Sequence, residues 1–576
     1  MKRITHHLWN RDAEKRRSHQ DGSCRKESKC VFLNGRRGNG LGTFGLQTGY
    51  DYRQDDFSIE ADETELRRSF SLLDMIGFSF SIVTCWTALS GVFIIGVKAG
   101  GPPVMVFGWI GVCVVTLTVA LSMAEMCSRW PVAGGQYSWV ALLAPSKVSR
   151  QLSYITGWFM LTGILAMGAV NNSVASNFIL GQANLVFPGF TIERWQTVLI
   201  TYAVALSALL VNIFAPHLLN RLSRMILIWN ICSFIIITIT LLATNRHKQS
   251  ASFVFQDFQD FTGFGQAMAT VIGILQSFFG MCCYDAPSHM TEEMTHPSRD
   301  GPKAMIMSVG LGAVTGFVFL LTLCFCIGDI ETTAASTTGV PVIQIFYDST
   351  NSRVGACFMA SMMTLIVLIC SVSLIAEGSR SLFAFSRDRG LPFSTTLSKV
   401  TSKRHIPLNA ILATTLVQMA FNSIYFGTVT GFNTIISIAT TGFYISYALP
   451  LFARLLGYVT SHKISSTHFT GPFSLSLPLS LSLNALGLLF LLFAFVTFNF
   501  PSEAPVDDEN MNYTSAAIGV IALVGVVTWV MTASKMFTGP IEVNGLSEIA
   551  IPELKGETED RHSGHGFGLN SDKVKA

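Results

Sequence analysis

The chain predicts an all-α, polytopic membrane protein, and three observations carry that reading. Half of its 576 residues are hydrophobic, and the mean hydropathy is +0.46. Only 13% are charged, against roughly 25% in ordinary soluble proteins, too few to cover a water-soluble fold of this size. Apolar stretches recur at about 20 residues, the length a helix needs to cross a hydrocarbon layer roughly 30 Å thick.

Residues 1–68 carry 14 Lys/Arg and 11 Asp/Glu, with a Gly-rich patch from Gly35 to Gly49. So little apolar content cannot offset ordering entropy, which predicts a disordered cytoplasmic tail. Twelve spans follow, at about 72–98, 104–124, 152–180, 195–214, 219–243, 265–290, 304–328, 354–384, 408–426, 432–455, 479–500 and 515–537. The first is too long for a cleaved signal and opens a membrane domain over 72–537. The polar segment 538–576 reads as a second cytoplasmic tail.

Charge placement supports this topology. With the N-terminus in the cytoplasm, 20 of the 25 Lys and Arg beyond the first tail fall on the cytoplasmic side, the bias the positive-inside rule requires. Both termini are then cytoplasmic. Asn512-Tyr513-Thr514, in the acidic loop between the last two spans, is an N-x-T glycan acceptor on the opposite side.

A net charge of +3 and the lack of a basic stripe give no footing for nucleic acid. Most of the 12 cysteines sit inside apolar runs without C-x-x-C spacing, so they read as small buried hydrophobes and predict no metal site. No phosphate-binding loop, H-E-x-x-H or G-x-S-x-G motif is present, which argues against an enzyme, a cofactor or an ATP-driven pump.

Two spans look wrong as continuous helices. In the first, Thr84-Cys85-Trp86-Thr87-Ala88-Leu89-Ser90-Gly91 puts small and hydroxylated residues at mid-depth. In the sixth, Phe278-Phe279-Gly280-Met281-Cys282-Cys283-Tyr284-Asp285-Ala286-Pro287 combines a Gly, a carboxyl and a Pro near the membrane centre. Pro removes a backbone donor, and exposed backbone at that depth is tolerated only beside protein or a water-lined cavity. Interruptions at corresponding places in two halves point to a midplane binding site. Small residues also serve plain helix packing. A carboxyl followed two residues later by Pro does not, which makes Asp285 a functional candidate.

The segments 124–145 (AEMCSRWPVAGGQYSWVALLAP), 284–304 (YDAPSHMTEEMTHPSRDGPKA) and 379–392 (SRSLFAFSRDRGLP) resemble, in order, loop motifs of the amino acid–polyamine–organocation superfamily. They look closest to its fungal branch of amino-acid, choline and γ-aminobutyrate permeases. The resemblance implies two inverted five-helix repeats, about 72–243 and 265–455, plus two extra helices over 479–537, working by alternating access. It also implies that the broken first and sixth helices cradle a small amine-containing solute. The superfamily's Gly-Ser/Ala-Gly-Ile stretch is replaced by Ala88-Leu89-Ser90-Gly91-Val92, which removes one close backbone approach.

These residues predict a solute site of Trp86, Thr87, Ala88, Leu89, Ser90, Gly91, Phe278, Phe279, Gly280, Met281 and Tyr284. A half-helix starting near Ser90 would aim free N–H groups at a carboxylate. Carbonyls released near Phe279 to Met281 would accept from an ammonium, and Trp86, Phe278, Phe279 and Tyr284 offer aromatic faces to one. Asp285 is the proton-coupling candidate. Glu377, three residues before Arg380, reads as an i,i+3 ion-pair partner. Glu125, Arg129, Glu292, Glu293, Arg299, Arg387 and Asp388 read as salt bridges of a cytoplasmic gate.

The expected function is secondary active uptake of a small amine or amino acid through a plasma-membrane permease, driven by protons. The alternative is a nutrient receptor that binds the same solutes with little transport.

Overall fold

The structure, a computed structural model, describes residues 68–540 apart from 335, 402–404, 428, 463, 466 and 508–510. The tails predicted at 1–68 and 538–576 lie almost entirely outside the described residues.

Ser71 starts the first helix with a capping box. Its hydroxyl faces the Asp74 N–H, and the Asp74 carboxylate accepts from Ser71 N at 3.2 Å, satisfying donors the helix cannot use itself. Helices α1 (Leu72–Val83) and α2 (Cys85–Lys98) are separated only by Thr84. There follow α3 (Gly101–Arg129), α4 (Gln136–Leu143), α5 (Ser149–Val186), α6 (Arg194–Phe214), α7 (Leu219–Thr244) and the short α8 (Ala251–Phe255). The sixth predicted span is divided into α9 (Gln266–Gly280) and α10 (Ala286–His289). The chain continues through α11 (Pro297–Cys326), α12 (Ile330–Ala334), α13 (Pro341–Thr350), α14 (Arg353–Arg387) and α15 (Ser394–Leu397). Last come α16 (Leu408–Ser423), α17 (Val429–Val459), α18 (Leu477–Thr497), α19 (Thr514–Thr528) and α20 (Ser534–Met536).

Among the described residues, ten helices are long and apolar enough to cross a membrane. The two other predicted spans are also helical but shorter. One is the divided sixth segment, and the other is α16, 16 residues long. Large apolar side chains such as Phe107, Val114, Leu489, Leu523 and Val530 point outward and are exposed, as they must on a fold solvated by lipid rather than water. The window covering α19 and α20 is only 11% buried, which puts that helix at the periphery.

Apolar attraction does little between helices that lipid solvates equally well, so close backbone approach carries the packing. A Cβ on Gly77 of α1 would lie 2.1 Å from the Ser223 carbonyl oxygen of α7. Where α5 crosses α17, a Cβ on Gly163 would lie 2.9 Å from Phe443 N, and one on Gly442 would lie 2.9 Å from the Gly163 Cα. At the end of α2, Ala99 and Gly100 pair antiparallel with Asp260 and Gln259. The Thr262 hydroxyl, with the N–H groups of Thr262 and Gly265, holds the exposed Asp260 carboxyl below the usual carboxylate range.

Gly442→Ala is therefore expected to destabilise the bundle by about 1–3 kcal/mol through overpacking. Gly310→Ala, with open space around its Cβ position, should change little. Thermal unfolding of the detergent-solubilised variants checks the contrast; equal midpoints would refute this packing role.

Candidate functional site

Helix α9 stops at Gly280, and five residues pass before α10 begins. Pro287 stands in the first turn of α10, where a missing N–H has no helical partner to lose. Cys283 takes a left-handed backbone, φ 63°, unusual for a residue with a side chain. Its N–H donates to the Tyr447 hydroxyl of α17 at 3.1 Å. The carbonyls left at the end of α9 find partners too. Tyr444 donates to Phe278 O at 3.2 Å, and the Cys282 thiol lies 3.0 Å from Phe279 O. The interruption is thus closed by two hydroxyls of the distant helix α17 and by its own Cys282 thiol.

Asp285, fully buried, organises the same place. Its Oδ1 accepts from Tyr447 at 2.5 Å, and its Oδ2 accepts from Gln136 Nε2 of α4 at 2.5 Å. His289, one turn on, brings Nε2 to 3.1 Å from Oδ2. The other ring nitrogen, Nδ1, lies 3.3 Å from Ala133 O, and a carbonyl can only accept, so Nδ1 carries a hydrogen. One proton therefore lies between Nε2 and Oδ2, making either an imidazolium–carboxylate pair or a neutral ring beside a neutral acid. Ser288 closes the turn by donating from N and Oγ to Asp285 O, both at 2.7 Å.

The first and sixth segments do meet, at a different place from the one predicted. The only residue off the helix is Thr84, φ 6° and ψ 54°, and residues 87–91 lie within α2. Ser90 Oγ and Thr87 Oγ1 bond back to Trp86 O and Thr84 O, so no half-helix starts near Ser90. Trp86 belongs to another wall: its Nε1 donates to Asn230 at 2.6 Å, and its ring packs edge-on against Phe234 and Phe319. At the interruption the contacts from the first segment are Cys85, whose Sγ is 3.5 Å from Met281 Sδ, and Leu89, which faces Gly280. Gly280 also abuts Trp109, with a Cβ there falling 2.8 Å from its ring. Phe278 packs with Tyr444, Phe490 and Phe498, and Tyr284 with Tyr447 at 4.9 Å.

Residues 70–530 match the family described as amino acid permease. The chain belongs to it. This permease is 62% identical over 443 residues to a Macrophomina phaseolina protein assigned provisionally as an amino acid/polyamine transporter, covering 77% of this chain and 97% of the relative. It is 30% identical to the amino-acid permease BAT1 homolog of Oryza sativa subsp. japonica, covering 83% and 93%. To the choline transporter of Saccharomyces cerevisiae it is 29% identical, covering 83% and 84%. The resemblance to the amino acid–polyamine–organocation superfamily thus holds, and the protein is a multi-pass membrane transporter of that class.

The permease's predicted gate residues divide into two groups. Arg387 Nη1 reaches Glu292 at 2.8 Å, and Arg380 Nε reaches Glu293 at 2.8 Å, tying the segment after α10 to α14. The Glu293 carbonyl also accepts from Ser69 N and Phe70 N. The others make different contacts. Glu125, buried, accepts from Leu475 N at 3.0 Å and from Ser480 Oγ; Arg129 donates to Thr470 O at 3.1 Å, and Asp388 accepts from Tyr137 at 2.7 Å. Arg299 makes no ion pair among the described residues. Because Arg380 serves Glu293, the expected Glu377–Arg380 pair does not form. Among the described residues, both oxygens of the buried Glu377 lack a hydrogen-bond partner.

His289, Gln136, Tyr444 and Tyr447 escaped the sequence reading. The i,i+4 spacing of Asp285 and His289 was a usable signal, since it stacks them on one face. The others lie about 150 residues away in the chain, where nothing local marks them. At Asn512, Nδ2 donates to Phe498 O and Phe500 O at 2.7 and 3.0 Å, and Oδ1 accepts from Thr514. The amide a glycan would use is engaged in capping the preceding helix.

Tyr447→Phe should cost about 1–3 kcal/mol by leaving the buried Cys283 N–H unpaired, and more through the lost donor to Asp285. Tyr444→Phe, which leaves Phe278 O its bond from Met281 N, should cost about 1 kcal/mol. Scanning fluorimetry of the purified variants measures both, and a Tyr444→Phe loss equal to that of Tyr447→Phe would contradict the assignment. Likewise Arg380→Gln should cost about 3–5 kcal/mol by stranding Glu293. The Arg380→Gln/Glu293→Gln double variant should recover much of it; a strictly additive cycle would show that the pair does not couple.

Proposed function

We propose that the permease is a secondary active transporter of a small amine-containing solute, an amino acid, γ-aminobutyrate or choline, coupled to protons and working by alternating access. The observation that carries this reading is the interruption at 281–285. Freed backbone at that depth must be satisfied by protein or by a polar occupant. In this closed arrangement the Tyr444 and Tyr447 hydroxyls and the Cys282 thiol satisfy it. These weak, exchangeable partners suit a site where a solute's ammonium takes over the Phe278 and Phe279 carbonyls. The nearby rings, above all Tyr284, Tyr444 and Tyr447, would favour a cationic head further.

The relatives support the solute class, since their names include choline, amino acids and polyamines. Asp285 with His289 supplies a place where one proton is already held, which suits proton coupling. The rest of the reading follows the sequence: twelve crossings, repeats at about 72–243 and 265–455 with extra helices over 479–537, both termini cytoplasmic, and a plasma-membrane location. The Glu292–Arg387 and Glu293–Arg380 pairs act as the cytoplasmic gate, broken and remade as the state changes.

Cells making the chain should accumulate labelled choline, γ-aminobutyrate or a neutral amino acid saturably, and an uncoupler should abolish it. Asp285→Asn keeps size and loses the charge, and should remove about tenfold accumulation for each pH unit of gradient while the protein still reaches the membrane. Ligand binding without flux in the wild type would favour a receptor instead.

A further inference from the structure

Within the cluster around Asp285, hydrogen-bond supply is unequal. Asp285 receives donors from Tyr447 and Gln136 and shares a proton with His289. Glu377, on α14, contributes an oxygen that lies within 4.8 Å of an Asp285 oxygen and a His289 nitrogen, yet among the described residues neither of its own oxygens meets a donor. The titratable groups facing it are Asp285 and His289 of the sixth segment, Cys282 and Cys283 of the interruption, and Cys370 two turns back on α14. None of these is a free cation. Arg380, the nearest guanidinium along its own helix, is engaged by Glu293.

A bare buried carboxylate is far more costly than a buried neutral acid, and a second carboxyl nearby makes it costlier still. A divalent ion is no remedy, because it would have to displace the His289–Asp285 hydrogen bond and face the amide hydrogens of Gln136. We propose that Glu377 is a second proton site and carries the proton exchanged with water during transport, while the neighbouring Asp285–His289 pair holds its own proton and its charge sets when Glu377 lets go. This rests on the proton-coupled reading above.

In the proton-loaded closed state Glu377 is the neutral acid. When the bundle opens to the cytoplasm and water arrives, the O–H bond breaks and the proton passes to that water, leaving a solvated carboxylate. The empty bundle returns with that carboxylate facing the proton held between Asp285 and His289, and on opening outward it takes a proton from water there, which restores the loaded state. One proton enters and one leaves per cycle, with no other reactant.

Two measurements on the purified full-length chain test it. In infrared spectra at neutral pH, the wild-type minus Glu377→Gln difference should contain the C=O stretch of a protonated carboxyl, and Glu377→Asp should keep that stretch at a shifted frequency. A wild-type minus Glu377→Gln difference with no such band overturns the proposal. In proteoliposomes supplied with labelled choline, γ-aminobutyrate or leucine, a gradient of one pH unit should drive about tenfold accumulation in the wild type. Glu377→Gln should lose that accumulation, and whatever exchange it retains should be flat with pH; a wild-type pH profile in this variant also overturns it. If the wild type moves none of these solutes, the transport reading fails and the carrier role with it. The infrared band then still decides whether Glu377 holds a proton.

Discussion

The arrangement around the sixth helical segment depends on one constraint: a backbone that leaves the helix inside a bilayer must have its N–H and C=O groups met by other parts of the protein. Tyr447 does most of this. One hydroxyl accepts from Cys283 N and donates to Asp285, so a single side chain holds both the strained backbone and the buried carboxyl. Gln136 and His289 complete the shell from α4 and α10. Three separate stretches of chain thus converge on one carboxyl group.

The same logic explains why helix α17 matters to a site located on another segment. It touches α5 through glycine faces at Gly163 and Gly442, which fixes its position closely. From that position it presents Tyr444 and Tyr447 to the interruption. Small residues set the distance and hydroxyls then use it.

The charged residues show where local reasoning runs out. Spacing alone favoured Glu377 with Arg380, because residues three apart on a helix are neighbours. In the fold, Arg380 turns to Glu293, 87 residues away, at 2.8 Å, and the carboxyl left behind becomes the least satisfied polar group of the cluster. Glu125 shows the converse. A gate ion pair was expected, and its carboxylate instead accepts from Leu475 N, just ahead of α18 and 350 residues away. Which partner wins depends on which helices lie adjacent.

The sequence by itself determined the class of protein, the places of its helices, the division of the sixth segment and the presence of an acid, Asp285, beside that division. Each of these follows from composition, apolar length or a Pro and an acid at bilayer depth, all local properties. Only the tertiary structure decided that the first segment bends at Thr84 rather than near Ser90, that Trp86 serves Asn230, and that His289, Gln136, Tyr447 and Glu377 surround Asp285. The physical reason is that a buried polar group takes its partner from whatever helix lies alongside. That neighbour is set by packing between segments hundreds of residues apart, which no window along the chain records.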